Sequence, residues 1–440
     1  MGQQSEPQTL VFNGGSVRKK TVLLRGPVLT RSGYGEQARF ALRSLRSRED
    51  LFDIYIHPLQ WGQTGWLCET SEERHWIDQK IEKTISYIQN GGIFDISVQV
   101  TIPNEWEVMA ATNIGYTAGI ETTKCAPEWI QKTNEMSKVI LVSNHSKNVF
   151  ENTKYDGYIE NVDPVTQEVT RTPTQLETTT EMHAVNYPVK TYENLEPLEM
   201  NLATQFNFAC VAQFGPRKNL INTINWFIEE FHDDDDVGLI VKTNVAKNCL
   251  VDRETCEGRL RGIISQYPDK KCKVYLLHGD LTDREMHELY VNEKVTAALS
   301  LTHGEGFGLP LFEAAYTGVP VVATAWSGQL DFLCDENGKE NFYAVSFDLN
   351  PVGEESVWDG VILKDSMWAY PRPQSAKAKM RECINDAKAG NTEGNCEYAS
   401  KLIDRFSEEK MYKQFVDAMD VEDGFDVESW LDDLDIEEVE

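Results

Sequence analysis

The sequence predicts an α/β protein with two doubly wound domains, each a parallel sheet covered by helices on both faces. Three observations point there. Short apolar, β-branched runs alternate with helix-patterned stretches along the chain, and strands of that composition are buried on both faces. The runs come in two successive sets, one before residue 145 and one after residue 205. The length, 440 residues, suits two to three domains at roughly 100–200 residues each.

In order, residues 21–27 (TVLLRGP) read as a strand that leads through a glycine turn, TRSGYG, into an amphipathic helix, GEQARFALRSL, with Phe40, Leu42 and Leu45 inward. FDISVQVTIP, TNIGYTAG and KVILVSN are three further short runs. Residues 151–184 then interrupt the pattern. They are polar, with a turn signal, DPVTQ, between two alternating stretches, GYIENV and EVTRT, and read as a hairpin or irregular insertion ending at a polar-loop histidine, His183. NYPVKTYENLEP connects to the second set: FNFACVAQF, GLIVKTN, CKVYLLHG, VTAALSL and VPVVATAW, with LINTINWFIEEF, TDREMHELYVNE and PLFEAAYTG as intervening helices. The expected division is a first domain over 1–200, a second over 201–400, a closing helix over 401–419 and an acidic tail over 420–440. The tail's sparse hydrophobics suit a segment that stays disordered or folds on a protein partner.

Composition excludes several classes. Hydrophobic residues at 41% and charged ones at 26% rule out wholesale disorder. The net charge is −29, and the 11 acidic residues of 420–440, with no basic one, leave −18 on the rest. That balance opposes non-specific binding to nucleic acid or anionic membrane. No apolar run approaches the roughly 20 residues of a membrane span. The start, MGQQSEPQTLVFNGG, lacks a secretory pattern, and Glu6 stands where a myristoylation signal needs Ser or Thr. Nine cysteines without a CxxC pair read as free thiols of a reducing compartment, the cytoplasm, or the host cytoplasm for a viral protein. The acidic run 233–236 precedes a strand and has no paired histidines, so it reads as a solvated loop; no metal site is indicated.

Ligands of open parallel sheets bind outside the carboxyl ends of the strands, near helix N-termini. After VTAALSL comes THGEGFGLPLFEAAYTGVPVVAT. Gly304, Gly306 and Gly308 permit close backbone approach, and Pro310 suits a first helical turn whose amides are free for an anion. Glu305 and Glu313 bracket the turn, and carboxylates accept hydrogen bonds from vicinal diols. After FNFACVAQF, Arg217 and Lys218 stand at a helix start, where cations are disfavoured unless an anion binds. Lys242 ends GLIVK and is expected in the same crevice.

The segment EGFGLPLFEAAYTGVPVVAT resembles the E-x7-E signature of family 4 glycosyltransferases, retaining enzymes of the GT-B fold that use nucleotide sugars. RSGYGEQARFALRSL, NIGYTAGIETTKCAPEWI, VNYPV, QFGPRKN and SGQLDFL resemble further segments of that family in order, so most of 21–335 is covered. The resemblance implies two Rossmann-like domains facing a central cleft. It implies that Glu305 binds the transferred sugar, Glu313 the ribose, and the amides of Gly306, Phe307, Gly308 and Leu309 the diphosphate. Arg217 and Lys218 would neutralise the leaving group with Lys242 beside them, and Gly33 and Gly35 would close from the opposite domain. No metal or other cofactor is implied. Two departures stand out: Gln213 where many relatives carry arginine, and Glu121, the candidate catalytic residue of the first domain, where many carry a histidine.

The function expected is therefore sugar transfer from a nucleotide-diphosphate donor to a hydroxyl of a glycan or small molecule. One alternative is a phage-type or viral DNA glycosyltransferase acting on a hydroxymethylated base, with Arg39, Arg43, Arg46 and Arg48 as its basic face. Another is a non-catalytic binding protein on a GT-B scaffold.

Overall fold

The computed structural model describes residues 18–162, 169–391 and 393–420; the acidic tail beyond Asp420 lies outside them. The first part of the chain runs β1 (Lys20–Gly26), α1 (Gly33–Arg46), β2 (Phe52–Pro58), α2 (Glu72–Gln89), β3 (Ile96–Val100), β4 (Thr112–Thr117), α3 (Pro127–Asn134), β5 (Lys138–Leu141), α4 (Asn144–Asn152), β6 (Tyr155–Val162), β7 (Val169–Leu176) and β8 (Met182–Ala184). Six of these strands form a sheet in the order β2-β1-β3-β4-β5-β8, every pairing parallel. The polar stretch between α4 and β8 is an antiparallel hairpin of β6 and β7.

The second part runs β9 (Phe206–Val211), α5 (Leu220–Glu230), β10 (Val237–Lys242), α6 (Leu250–Ile264), β11 (Lys273–Leu277), α7 (Asp283–Tyr290), β12 (Val295–Ser300), α8 (Leu309–Tyr316), β13 (Val321–Thr324), α9 (Leu330–Leu333), β14 (Tyr343–Val345), β15 (Phe347–Pro351), β16 (Met367–Pro371) and α10 (Pro373–Ala389). Its sheet is also parallel, in the order β11-β10-β9-β12-β13-β14. This is the 3-2-1-4-5-6 order of dinucleotide-binding folds, whose crevice opens where the order reverses, here between β9 and β12. In the first sheet the reversal falls between β1 and β3. Two Rossmann-like sheets facing a cleft make this a GT-B fold.

Burial follows the pattern read from the sequence. Val22, Leu24, Ile54, Val98 and Ile114 are sealed in the first sheet, and Phe208, Leu239, Val241, Ala297 and Leu299 in the second. Along α1, Phe40, Leu42 and Leu45 all face inward, and Ser32 caps the helix by accepting the Gly35 N–H. The closing segment differs from expectation. It is two helices, α11 (Glu393–Arg405) and α12 (Glu408–Met419), broken at Phe406 and Ser407. Met411, Phe415 and Met419 of α12 join the core containing α1, and Phe415 packs edge-on to Phe40 and Tyr116. The break lets α12 return to the first domain, so the chain closes across both.

Candidate active site

The turn after β9 and the loop after β12 meet at the reversal point of the second sheet. Residues 216–218 form one 3-10 turn, and Asn219 follows in the left-handed region at φ 51°. That turn is stitched to the neighbouring loop: His303 N–H donates to Arg217 O (2.9 Å), and Asn219 Nδ2 to Leu301 O (2.9 Å). Its side chains converge on Glu305. Lys218 Nζ lies 2.6 Å from Glu305 Oε1 and Arg217 Nη1 3.2 Å from Oε2. Arg217 Nη1 also donates to Gly304 O at 2.6 Å. Burial pushes the Glu305 carboxyl up, but Lys218 and Arg217 outweigh it and hold the group down at about 2. Glu305 is therefore an anion at any working pH.

The first domain supplies a third member. Glu121, in the loop after β4, places Oε1 3.1 Å from Arg217 Nη2. Glu121, Arg217, Lys218 and Glu305 are thus brought together in one alternating cluster across the cleft. The domains touch closely here. A Cβ on Gly304 would lie 2.6 Å from Glu121 O, and one on Gly306 would lie 2.8 Å from Ala118 O. Ser143 Oγ donates to Gly306 O at 2.6 Å.

Beyond Gly306, the Phe307 ring is buried against Tyr187, Phe312 and Phe332. Gly308 is the N-cap of α8 at φ +98°, and Leu309 opens the helix. The amides of Gly306–Leu309 stand where no preceding helical turn accepts them. A narrow crevice lies beside them, lined by Lys218, Glu305, Gly308, Pro310, Leu311 and Tyr290 among others. One turn into α8, Glu313 has the opposite electrostatics to Glu305. Burial, reinforced by Asp283 and Glu36 against the pull of Lys190, raises its carboxyl to about 8.

Three sequence-selected residues lie outside this charged cluster. Lys242, at the end of β10, gives its ammonium to Gly279 O (2.7 Å) rather than to Glu305. Gly35 is packed so that a Cβ would meet Thr30 O at 2.1 Å, whereas one on Gly33 would meet nothing within 4 Å. The departure at Gln213 is explained by its Nε2 turning away to Val245 O (2.8 Å). Of the arginines named as a basic face, two are drawn into buried or half-buried ion pairs and two stay at the surface. Arg39 is buried and paired with Glu36, Arg43 with Glu36 and Glu73, and Arg48 with Asp50, while Arg46 lies over the Trp76 ring.

Sequence reasoning missed the residues that clasp the domains. Asp331 Oδ2 accepts from Asn144 N–H (2.8 Å), Asn144 Nδ2 (3.1 Å) and Asn186 Nδ2 (2.9 Å). Lys190 bridges Glu36 of α1 and Asp283 of α7, at 2.6 and 2.7 Å. From the second domain, the stretch around β15 and β16 reaches over to the first: Lys124 pairs with Asp365, and Thr123 N–H donates to Met367 O at 3.2 Å. Asn186 and Asp331 stood within VNYPV and SGQLDFL, but nothing in either segment tells which partner its polar group meets.

Among the described residues, Asp252, Cys256 and His278 are grouped closely enough to suggest a metal. The Asp252 carboxylate, however, already accepts the Val245, Ala246 and Lys247 N–H groups and lies 3.0 Å from His278 Nε2. It anchors the loop after β10.

Residues 204–345 match the family model Glycosyl transferases group 1. The matched span holds Arg217, Lys218, Lys242, Glu305 and Glu313, the second-domain half of the site. A 130-residue stretch is 32% identical to the serotype-specific mannosyltransferase WbdA of Escherichia coli, covering 30% of this chain and 15% of that protein. The chain thus spans about a seventh of the length of the curated relatives it matches. The whole fold resembles Anabaena Alr3699/HepE in its complex with UDP-glucose, at TM-score 0.57 and 12% identity over 91% of this chain and 99% of that one. A glycosyltransferase from Rickettsia africae gives TM-score 0.57 at 12% identity, covering 92% and 98%. Sucrose-phosphate synthase of Thermosynechococcus elongatus gives 0.55 at 11%, covering 91% and 98%. At these identities the likeness establishes the GT-B fold. No described helix is long and apolar enough to cross a membrane.

Proposed function

We propose that this protein transfers a sugar, with retention of configuration, from a nucleoside-diphosphate donor to a hydroxyl of a glycan or small-molecule acceptor. The observation that carries this is the Glu121–Arg217–Glu305–Lys218 cluster at the mouth of α8. Two cations and a helix N-terminus converge where the diphosphate charge develops, and preorganised charge of this kind is usually the largest catalytic term. The carboxylates of Glu305 and Glu121 neutralise those cations. A bound donor would exchange places with them: its diphosphate on Arg217, Lys218 and the amides of Gly306–Leu309, its sugar hydroxyls on Glu305, its ribose on Glu313. Lys242 lies one strand away, able to add charge if it leaves Gly279 O. Glu121, freed from Arg217, would face the acceptor hydroxyl from the first domain, with Gly33 and Gly35 in the first turn of α1 rather than in a loop. The cationic side chains supply the charge neutralisation for which other diphosphate transfers use a divalent ion. Domain closure would keep water from the donor.

A nucleic-acid acceptor is the weaker reading, because three of the four arginines that would meet its phosphates are already engaged by Glu36, Glu73 and Asp50. All nine cysteines are free thiols, which favours a reducing compartment. The test is release of nucleoside diphosphate from a panel of sugar nucleotides, with and without acceptors. Glu305→Ala should lower turnover by roughly 10²–10³. Undiminished turnover would remove Glu305 from the mechanism, and failure of every donor to bind would overturn the enzyme reading.

A further inference from the structure

The first domain carries, beside the cleft, a cluster that donor chemistry does not use. Between β2 and α2, residues 59–71 fold back over the loop that opens α1. Arg31 N–H donates to Gly65 O and Leu67 N–H to Leu29 O, each at 2.8 Å, and Thr30 bridges Trp66. Thr64 closes the turn, its N–H (3.3 Å) and Oγ1 (2.7 Å) both on Trp61 O. The loop is therefore pinned at both sides of its indole rings.

Trp61 stacks on Tyr34 with ring centroids 4.1 Å apart and planes at 27°. Trp66 is 44% exposed. The pair leads directly to the active site. Tyr34 Oη is 2.8 Å from Thr117 Oγ1 and accepts the Ala118 N–H at 3.3 Å, and Ala118 O is the atom against which Gly306 packs. Trp61 is partly exposed, and the neighbouring Gly33, Gly62 and Gly65 have open space where a side chain would stand. Around them Gln60 and Gln63 are exposed and Arg31 partly so.

Rings joined to polar groups in this way suit a pyranose. Its C–H face is apolar with slightly positive hydrogens, matching the negative face of an indole, while its hydroxyl rim needs amide and guanidinium partners. A phosphate-rich partner or an anionic membrane is disfavoured by the −29 charge. We propose that Trp61 and Trp66, backed by Tyr34, form an acceptor subsite that holds a sugar ring of a carbohydrate acceptor. The proposal rests on the glycosyl-transfer reading and names the acceptor class.

The test titrates the full chain with gluco-, manno- and galacto-configured disaccharides, read by tryptophan fluorescence and saturation-transfer NMR, and separately with UDP and GDP. At least one disaccharide should bind. Trp61→Ala and Trp66→Ala should each weaken it by roughly tenfold, Trp61→Phe by much less, and nucleotide affinity should stay unchanged. Where Trp61→Ala loses nucleotide binding through misfolding, Trp66→Ala, altering an exposed ring, decides. Three results would overturn the subsite: no disaccharide bound, binding indifferent to both alanine variants, or hydroxymethylated duplex bound in place of sugar and lost in Trp61→Ala. Disaccharide binding without any nucleotide binding would uphold the subsite and sink the donor reading.

Discussion

Glu305 and Glu313 carry the same functional group eight positions apart, yet the fold sets them in opposite states. Glu305, between two cations, stays ionised down to about 2, whereas Glu313, half-buried and near Asp283 and Glu36, holds its proton to about 8. Burial opposes the charge of both; only Glu305 has partners that outweigh it. The consequence for stability has a definite sign. Below the ordinary glutamate range Glu313 is protonated whether the chain is folded or not, and contributes nothing. As pH rises towards 8 the unfolded chain ionises this group first, so the folded state loses ground. Glu313→Gln removes the effect. Its stability relative to the native sequence should therefore increase between pH 5 and pH 8, by roughly 1–3 kcal/mol, in denaturant titrations at the two pH values. No pH dependence of the difference would mean that the site is wetter than its packing indicates. The sequence showed both carboxylates and their spacing; their charge states depended on residues such as Lys218, Asp283 and Glu36, which are remote along the chain.

At the scale of elements, the glycine-rich loop into α8 divides into positions with different requirements. Gly308 needs the left-handed region at φ +98°, whereas Gly304 and Gly306 need close approach, to Glu121 O and Ala118 O. Gly308→Ala should cost roughly 1–2 kcal/mol for the strained backbone alone and misplace the amides at the helix start. Gly33→Ala, at a position with open space and ordinary torsions, should be nearly neutral in the same unfolding assay. Equal effects would show that the loop glycines are tolerated alike. Strands β1, β3, β4 and β5 of the first sheet and β9 to β13 of the second were legible because buried parallel strands have a distinctive composition; the three-residue strands β8, where His183 read as loop, and β14 were too short to show it. The elements less visible were the polar helices α2 and α6, the latter without a marked apolar stripe, and the edge strand β2, whose mixed polarity reads as loop. The two-helix closing segment was also missed, although Ser407 before Glu408 and Glu409 has the pattern of a helix start; its break lets α12 return to the first domain.

At the scale of the molecule, the cleft is shut by groups from both domains. Asp331 collects three donors from the first domain and the connecting segment, and Lys190 ties α1 to α7. Asp331→Ala leaves the Asn144 and Asn186 donors without this acceptor, a loss of about 1–3 kcal/mol from closure. Small-angle scattering should show a larger radius of gyration, and donor hydrolysis should rise relative to transfer as water enters. An unchanged radius with unchanged hydrolysis would show that the Glu121–Arg217 pair and the 347–371 crossing suffice to hold the domains.

By itself the sequence determined the alternation of strand and helix, the two sets, the acidic balance, and the positions of Arg217, Lys218, Glu305 and Glu313. Those follow from local composition and spacing along one chain segment. Only the tertiary structure decided which charges meet. It brought Glu121 onto Arg217, turned Lys242 and Gln213 elsewhere, consumed Arg39 and Arg43 in ion pairs, and stacked Trp61 on Tyr34. The physical reason is that a hydrogen bond or ion pair forms between neighbours in space, and the two crossings of the cleft bring together residues from nearly every part of the chain.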